Sequence, residues 1–232
     1  MTLDVRARAP RVWPPRVRQP RGRPGRRGRG NWPLPAVRCS IPRERRRAMP
    51  APIRFRFRPQ KAVAAIHQML FWAREDGLGD PDLHTILKAC YFADKAHLNA
   101  HWRPIFGATY RAMAYGPVPL EIYELIKAEP LWLAELGRDD VPWRREGYRV
   151  ILTGNDQPAL EHLSLSDREA LETAFRKARG LTFNARTAAS HDQAWERARL
   201  GLIRYEDMIA EDNPDREAIL DALSEDAHLM DV

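Results

Sequence analysis

Three side chains in the middle of this sequence have the types and the spacing that metal-assisted hydrolysis uses. Asp94, His97 and His101 stand at positions i, i+3 and i+7, so one helix would place them on neighbouring parts of its surface. Two histidines four residues apart can ligate zinc, and a carboxylate can serve as third ligand or general base. Metalloproteases carry a glutamate after the first histidine, where Leu98 stands here. A metal-dependent hydrolase is therefore one hypothesis, and histidines that only make structural hydrogen bonds are the other.

The remaining reactive residue types occur in patterns that disfavour catalysis. Cys90 falls within an apolar helical pattern, which is typical of an inert buried thiol. Ser164, Ser166 and Ser190 stand in cap-like or helical contexts without the glycine elbow of serine hydrolases. The sequence contains no glycine-rich phosphate-binding loop. We therefore expect no catalytic residue, no metal and no cofactor.

Apolar residues recur at helical spacing along the chain and predict a mainly α fold, a compact helical domain with a small β-hairpin. The pattern predicts helices over 60–75, 82–100, 165–178 and 185–199, and a short helix capped by Asn213 and Pro214. The second helix is apolar on two faces, so we place it at the centre of the fold. Ser166 and Glu169 are expected to form a capping box. Two short runs around Gly147 predict the hairpin over 141–152.

The connector after the second helix mixes aromatic residues with proline and glycine. Residues 108–115 fit either a short strand or an irregular segment, and Pro117 and Pro119 fit the entry of a helix that continues to Ile126. The aromatic side chains either fill the core or form a protein-binding surface. They are Trp102, Phe106, Tyr110 and Tyr115. The turn over 115–119 is the better surface candidate, because loops on rigid scaffolds carry function.

Charge is distributed unevenly along the chain. Residues 1–48 carry fifteen arginines and two acidic residues, a net charge of +13, so the other 184 residues carry −6 of the total of +7. The first segment has almost no periodic apolar residues and is predicted to be disordered. It is a nucleic-acid-binding arm, a solvated tail, or an upstream extension with Met49 as the true start. The two cysteines and the lack of a long apolar run predict a cytoplasmic protein.

A composite pattern runs from Lys88 to Pro119 and returns at residues 190–195. A lysine leads into YFAD and a His-Leu pair, an R-P-I-x-G turn precedes Y-x-A-M-x-Y-G-P-V-P, and Ser-His-x-x-x-Trp follows later. This pattern resembles the Panacea domain of the phage-associated SocA-like antitoxins. Its residues are our candidates for partner binding: Lys88, Tyr91, Phe92, Asp94, His97, Arg103, Pro104, Gly107, Tyr110, Met113, Tyr115, Gly116, Pro117, Val118, Pro119, His191 and Trp195.

The resemblance covers about residues 60–209 and leaves 210–232 as a C-terminal helical extension. It implies a non-enzymatic antitoxin of a type II toxin–antitoxin pair, which neutralises a toxin encoded beside it by direct protein contact. At least one branch of the family acts instead as an adaptor that delivers its toxin to a protease. The net negative charge of residues 49–232 would suit a basic toxin. Nucleic-acid binding through residues 1–48 is a third hypothesis.

Overall fold

The computed structural model describes residues 52–229. Nine α-helices, two antiparallel hairpins and one turn of 3-10 helix (Leu160–His162) lie in this range. The helices are α1 (Pro59–Glu75), α2 (Leu83–His101), α3 (Leu120–Ile126), α4 (Pro130–Leu136), α5 (Leu165–Gly180), α6 (Phe183–Ser190), α7 (Gln193–Ala198), α8 (Tyr205–Met208) and α9 (Arg216–Leu229). The strands are β1 (Tyr110–Met113), β2 (Gly116–Pro119), β3 (Trp143–Glu146) and β4 (Arg149–Leu152). The predicted mainly α fold is confirmed.

The predictions for residues 1–48, disorder and nucleic-acid binding, lie outside the described part of the chain. Among the helices between residues 52 and 229, none combines the length and the apolar composition that crossing a bilayer requires.

Helix α2 lies at the centre of the fold, as its two apolar faces predict. Asp82 caps its first turn, where the carboxylate accepts a hydrogen bond of 2.6 Å from the Thr85 backbone N–H. The helix packs against α5, α6, α8 and strand β2. Because it is surrounded, even its polar residues Lys88, Asp94 and His97 are at most 1% exposed. A side chain of that kind must find its partners inside the protein.

The segment that we expected to open a helix at Pro117 is instead a strand. Strand β2 pairs with β1 so that Pro117 faces Ala112 and Pro119 faces Tyr110, and helix α3 begins only at Leu120. The backbone N–H of Ala112 points to the other side, where it donates to Gly201 O at 2.9 Å. Proline has no backbone N–H to donate to the opposite strand. Ala112 and Tyr110, which lie opposite the two prolines, bond to residues 201 and 203 instead, so the strand tolerates both prolines.

The chain from Gly201 to Ile203 adds a third extended segment beside β1. Ile203 N–H donates to Tyr110 O at 2.8 Å, and Leu202 lies opposite Arg111 in an isolated antiparallel bridge. The hairpin is thus bordered on one side by this segment and on the other by α2. The second hairpin, β3–β4, lies where the sequence predicts it.

Two helix predictions need correction. The helix expected over 185–199 is broken after Ser190, because Asp192 caps a new helix and accepts from Trp195 N–H at 3.2 Å. The capping box of α5 uses Ser164 and Asp167 rather than Ser166 and Glu169. Helix α4, helix α8 and the 3-10 turn are further elements that we did not predict.

Candidate functional site

Asp94 organises the turn between α2 and β1. Its side chain is fully buried, and Oδ1 accepts hydrogen bonds from the backbone N–H groups of Ile105 at 2.7 Å and Phe106 at 3.0 Å. Oδ2 accepts from the Tyr110 hydroxyl at 2.9 Å. Burial raises the pKa of Asp94 to about 7 even though these three donors favour the charged form. The carboxylate therefore fixes the turn and the first residue of β1.

Gly107 completes this turn, because no other residue type fits there. Its φ is +67°, and an added Cβ would lie 2.6 Å from the carbonyl oxygen of Arg56. Pro104, beside it, is buried. The R-P-I-x-G pattern is thus a packing requirement of the fold.

Lys88 on α2 forms a hydrogen bond with the second strand of the hairpin, β2. Its Nζ donates to the carbonyl oxygen of Pro117 at 2.6 Å. Burial, followed by the nearby charge of Arg186, lowers the pKa of Lys88 to about 7. Gly116 has a φ of +93°, and an added Cβ would lie 3.0 Å from Nζ and 2.3 Å from Ser190 Oγ. Only glycine leaves room for the lysine to reach the strand.

His97 joins α2 to the connector and to α5. Its Nδ1 lies 2.8 Å from Arg103 O, so this nitrogen carries a proton, and Nε2 lies 3.1 Å from the Ser166 hydroxyl and 3.2 Å from Asp167 Oδ1. Burial is the main reason why the pKa of His97 is lowered, which favours the neutral ring. Both ring nitrogens are therefore used by the fold.

Asp167 on α5 lies beside His97 and pairs with two cationic side chains, those of Lys61 and Arg103. Its buried carboxylate pairs with Lys61, accepts from Ser164 N–H at 3.0 Å and lies 3.1 Å from Arg103 Nη1. Burial raises the pKa of Asp167, but Lys61, Ser164 and Arg103 together outweigh it and lower the pKa overall. The carboxylate thus stays charged and ties α1, α5 and the connector together.

Asp192 links α7 to α2. Its two carboxylate oxygens lie 2.9 and 2.8 Å from the Tyr91 hydroxyl, and Oδ2 accepts from Lys95 Nζ at 2.6 Å. Trp195 on α7 in turn donates from Nε1 to Met113 O at 2.9 Å. The His191 ring stacks on Trp195 with centroids 3.7 Å apart. Through this chain of contacts α2 and α7 fix the tip of the β1–β2 hairpin.

Most of the candidate residues therefore lie inside the protein and position the hairpin. The buried ones are Lys88, Tyr91, Phe92, Asp94, His97, Pro104, Gly107, Tyr110, Gly116, Pro117 and Pro119. The half-buried ones are Arg103, Val118, His191 and Trp195. Only Met113 and Tyr115 are exposed, with 47% and 63% of their surface open to solvent. Of the four connector aromatics, Phe106 and Tyr110 fill the core and Trp102 and Tyr115 are exposed.

The hydrolase hypothesis finds no support in this geometry. The Asp94 carboxylate is occupied by the turn and by Tyr110, and His97 uses both ring nitrogens. His101 is exposed and contacts His97 ring to ring, at 4.4 Å between centroids. Between residues 52 and 225, no group of three or more histidine, cysteine, aspartate or glutamate side chains is arranged to hold a metal.

Several residues that complete the site were not among our candidates. Asp167 lies beside His97, and Asp192 is the partner of Tyr91. Both aspartates begin or cap helices, which is a signal that sequence carries. Phe183 contacts the Tyr115 ring at 5.4 Å and is itself 43% exposed. Sequence pattern gives no reason to pair these two rings, which stand on different elements.

Comparison with known proteins gives one family match. The family model of the antitoxin SocA-like Panacea domain matches residues 86–196, a range that begins in α2 and ends in α7. The wider extent of 60–209 stays a prediction. No curated protein and no solved structure gives a significant match to the chain. The matched range contains every residue of the composite pattern and the hairpin that it positions, so this part of the chain is similar to the Panacea domain of SocA-like antitoxins.

Proposed function

We propose that this chain is the antitoxin of a type II toxin–antitoxin pair and that it neutralises the adjacently encoded toxin in the cytoplasm by direct contact. One observation carries the proposal. Most residues of the composite pattern are buried and position the β1–β2 hairpin, and the residues of that set left exposed are Met113 and Tyr115 at its tip. A rigidly held, exposed turn is a typical place for protein recognition.

The buried chemistry supports binding rather than catalysis. The residues best suited by type to acid–base or nucleophilic chemistry are Asp94, His97 and Lys88. Backbone or hydroxyl groups of the fold already form hydrogen bonds with the polar atoms of each. These three residues are also at most 1% exposed, so a substrate would have no access to them without rearrangement. Their perturbed pKa values follow from burial and fit a structural role as well as they would fit a catalytic one.

Co-expression tests the proposal. The neighbouring gene is induced in cells that express the full chain. Control cells carry the gene for this chain with an early stop codon. We expect growth arrest with the control, growth with the full chain, and recovery of both proteins in one complex from a tagged antitoxin. A neighbour that arrests growth but is neither rescued nor bound would contradict the proposal.

The toxin level in the same cells distinguishes two mechanisms of neutralisation, direct binding and delivery of the toxin to a protease. If the chain blocks its toxin by binding, the toxin level on an immunoblot stays constant when the antitoxin is present. If the chain acts as an adaptor, the toxin level falls, and inhibition of the protease restores it. We expect the first result, because the exposed hairpin offers one rigid contact surface to a partner.

A further inference from the structure

The outer face of the β1–β2 hairpin is apolar where a surface sheet is normally polar. Side chains alternate along β1, so Tyr110 and Ala112 point into the core and are 1% exposed, while Arg111 and Met113 point outwards. Antiparallel sheets with one face on the core usually present polar residues on the other. Here the outward residues beside Arg111 are apolar.

Cross-strand pairing extends this face to neighbouring segments. Arg111 lies opposite Val118 of β2 and opposite Leu202 in the Gly201–Ile203 segment, and residues directly opposite each other share a face. Leu202 is 56% exposed and Met113 is 47% exposed. The outer hairpin face, defined as Arg111, Met113, Val118 and Leu202, is thus an apolar row with one cation in it.

Leu200 lies next to this face and is also exposed, at 63%. Its φ of +66° and the φ of +46° at Arg199 are left-handed, which is unfavourable for residues other than glycine. The fold accepts two such residues in a row at the start of the segment that carries Leu202. Backbone strain of this kind concentrates at functional sites.

We propose that the outer hairpin face is the docking surface for the toxin, and that the toxin meets it with apolar side chains around a carboxylate that pairs with Arg111. This inference rests on the proposed antitoxin function. Arg111 forms no salt bridge with any residue between 52 and 225, and arginine beside apolar side chains is a frequent centre of binding energy. A carboxylate on the partner is the group that completes such a site.

The charge of Arg111 also argues against a second copy of this chain as the occupant. A two-fold dimer built on this face would bring the same residues of both copies together, so that Arg111 would approach Arg111. The net negative charge of residues 49–232 does not oppose an acidic partner here, since residues 211–232 alone hold eight acidic residues and one arginine. The local charge of the face, and not the net charge, decides which partner it fits.

Two substitutions and two matched controls test the inference in the full chain. Arg111→Glu reverses the cation, and Leu202→Asp places a charge in the apolar row. Arg145→Glu on the exposed part of β3 and Leu131→Asp on α4, where Leu131 is 72% exposed, make the same changes elsewhere. Calorimetric titration with the purified toxin should show that each face variant weakens binding about 30-fold or more, whereas the controls stay within about 3-fold of wild type.

The outcomes separate the two proposals. If wild type does not bind the toxin, the proposed function fails. If wild type binds and the face variants, with unchanged thermal unfolding, bind equally well, the docking surface is wrong and the antitoxin function stands. A wild-type dimer that Leu202→Asp converts to a monomer without loss of toxin binding would also overturn it. Toxin mutants can be selected that are again neutralised by the Arg111→Glu variant. We expect these mutants to carry a basic residue in place of an acidic one. If only other exchanges are found, a toxin carboxylate does not pair with Arg111.

Discussion

Lys88 makes a quantitative prediction about the pH dependence of stability. Lys88 is 1% exposed, its Nζ has Pro117 O as hydrogen-bond acceptor, and burial lowers its pKa to about 7. An unfolded lysine has a pKa of about 10.4. Between about pH 7 and pH 9 the unfolded chain therefore holds a proton that the folded chain has released, and stability rises with pH. One proton corresponds to about 1.4 kcal/mol per pH unit, and the folded lysine has released only about half of its proton at pH 7, so the rise is about 2 kcal/mol across this window.

Replacement by methionine isolates this contribution. Lys88→Met keeps a long side chain in the core but cannot titrate, so wild type should gain about 2 kcal/mol relative to the variant between about pH 7 and pH 9. The loss of the hydrogen bond to Pro117 adds a pH-independent cost of about 1–3 kcal/mol. Other groups, including Asp94 with its raised pKa, titrate in both proteins and cancel in the difference.

Urea unfolding of the full chain, followed by tryptophan fluorescence at several pH values, measures this difference. Lys127→Met provides the control, because Lys127 is exposed and its pKa is raised, chiefly by a hydrogen bond to Glu129. Its stability should follow that of wild type across the window. If Lys88→Met and wild type keep a constant difference from about pH 7 to pH 9, the buried lysine does not titrate there and our account of its environment is wrong.

Two further substitutions test how the hairpin is held. Asp94→Ala leaves two backbone N–H groups unpaired in the core and leaves the Tyr110 hydroxyl only the more distant Cys90 O at 3.4 Å, so we expect a loss of about 3–6 kcal/mol in urea unfolding. A loss below about 1 kcal/mol would contradict the role of this carboxylate. Gly116→Ala adds a clash with Ser190 and Lys88 to the cost of a positive φ, about 1–3 kcal/mol more than Gly154→Ala, which has a similar φ but open space. Equal losses for the two glycines would show that the close approach is absent.

The sequence predicts the elements whose signals are local. Helix α2 and the hairpin around Gly147 follow from apolar spacing and turn residues, and both lie where we expected them. The β1–β2 hairpin could not be recognised, because Pro117 and Pro119 suppress the strand signal. That strand depends on Lys88 and on the pairing of β1 with residues 201–203, partners that are distant in sequence. Local propensity cannot report such contacts.

The candidate residues were predicted as a set, but their roles were not. Residue type alone makes Asp94 and His97 look like ligands or bases. Their role depends on backbone groups of the connector that approach them only in the folded chain. Met113 and Val118 of the outer hairpin face were among the candidates, but Arg111 and Leu202 were not, because Leu202 lies in a loop without periodicity. The structure shows that Leu202 belongs to this face, because Leu202 lies opposite Arg111.

The most direct test of the account is hydrogen exchange of the full chain, measured alone and in complex with the adjacently encoded toxin. Residues 110–119 and 199–203 carry the exposed tip and the outer hairpin face, and binding there slows exchange of their amides. We predict protection of these two stretches and little change in α4 and α9. Absence of a complex, or protection confined to other elements, would contradict the claim that this hairpin is what the antitoxin presents to its toxin.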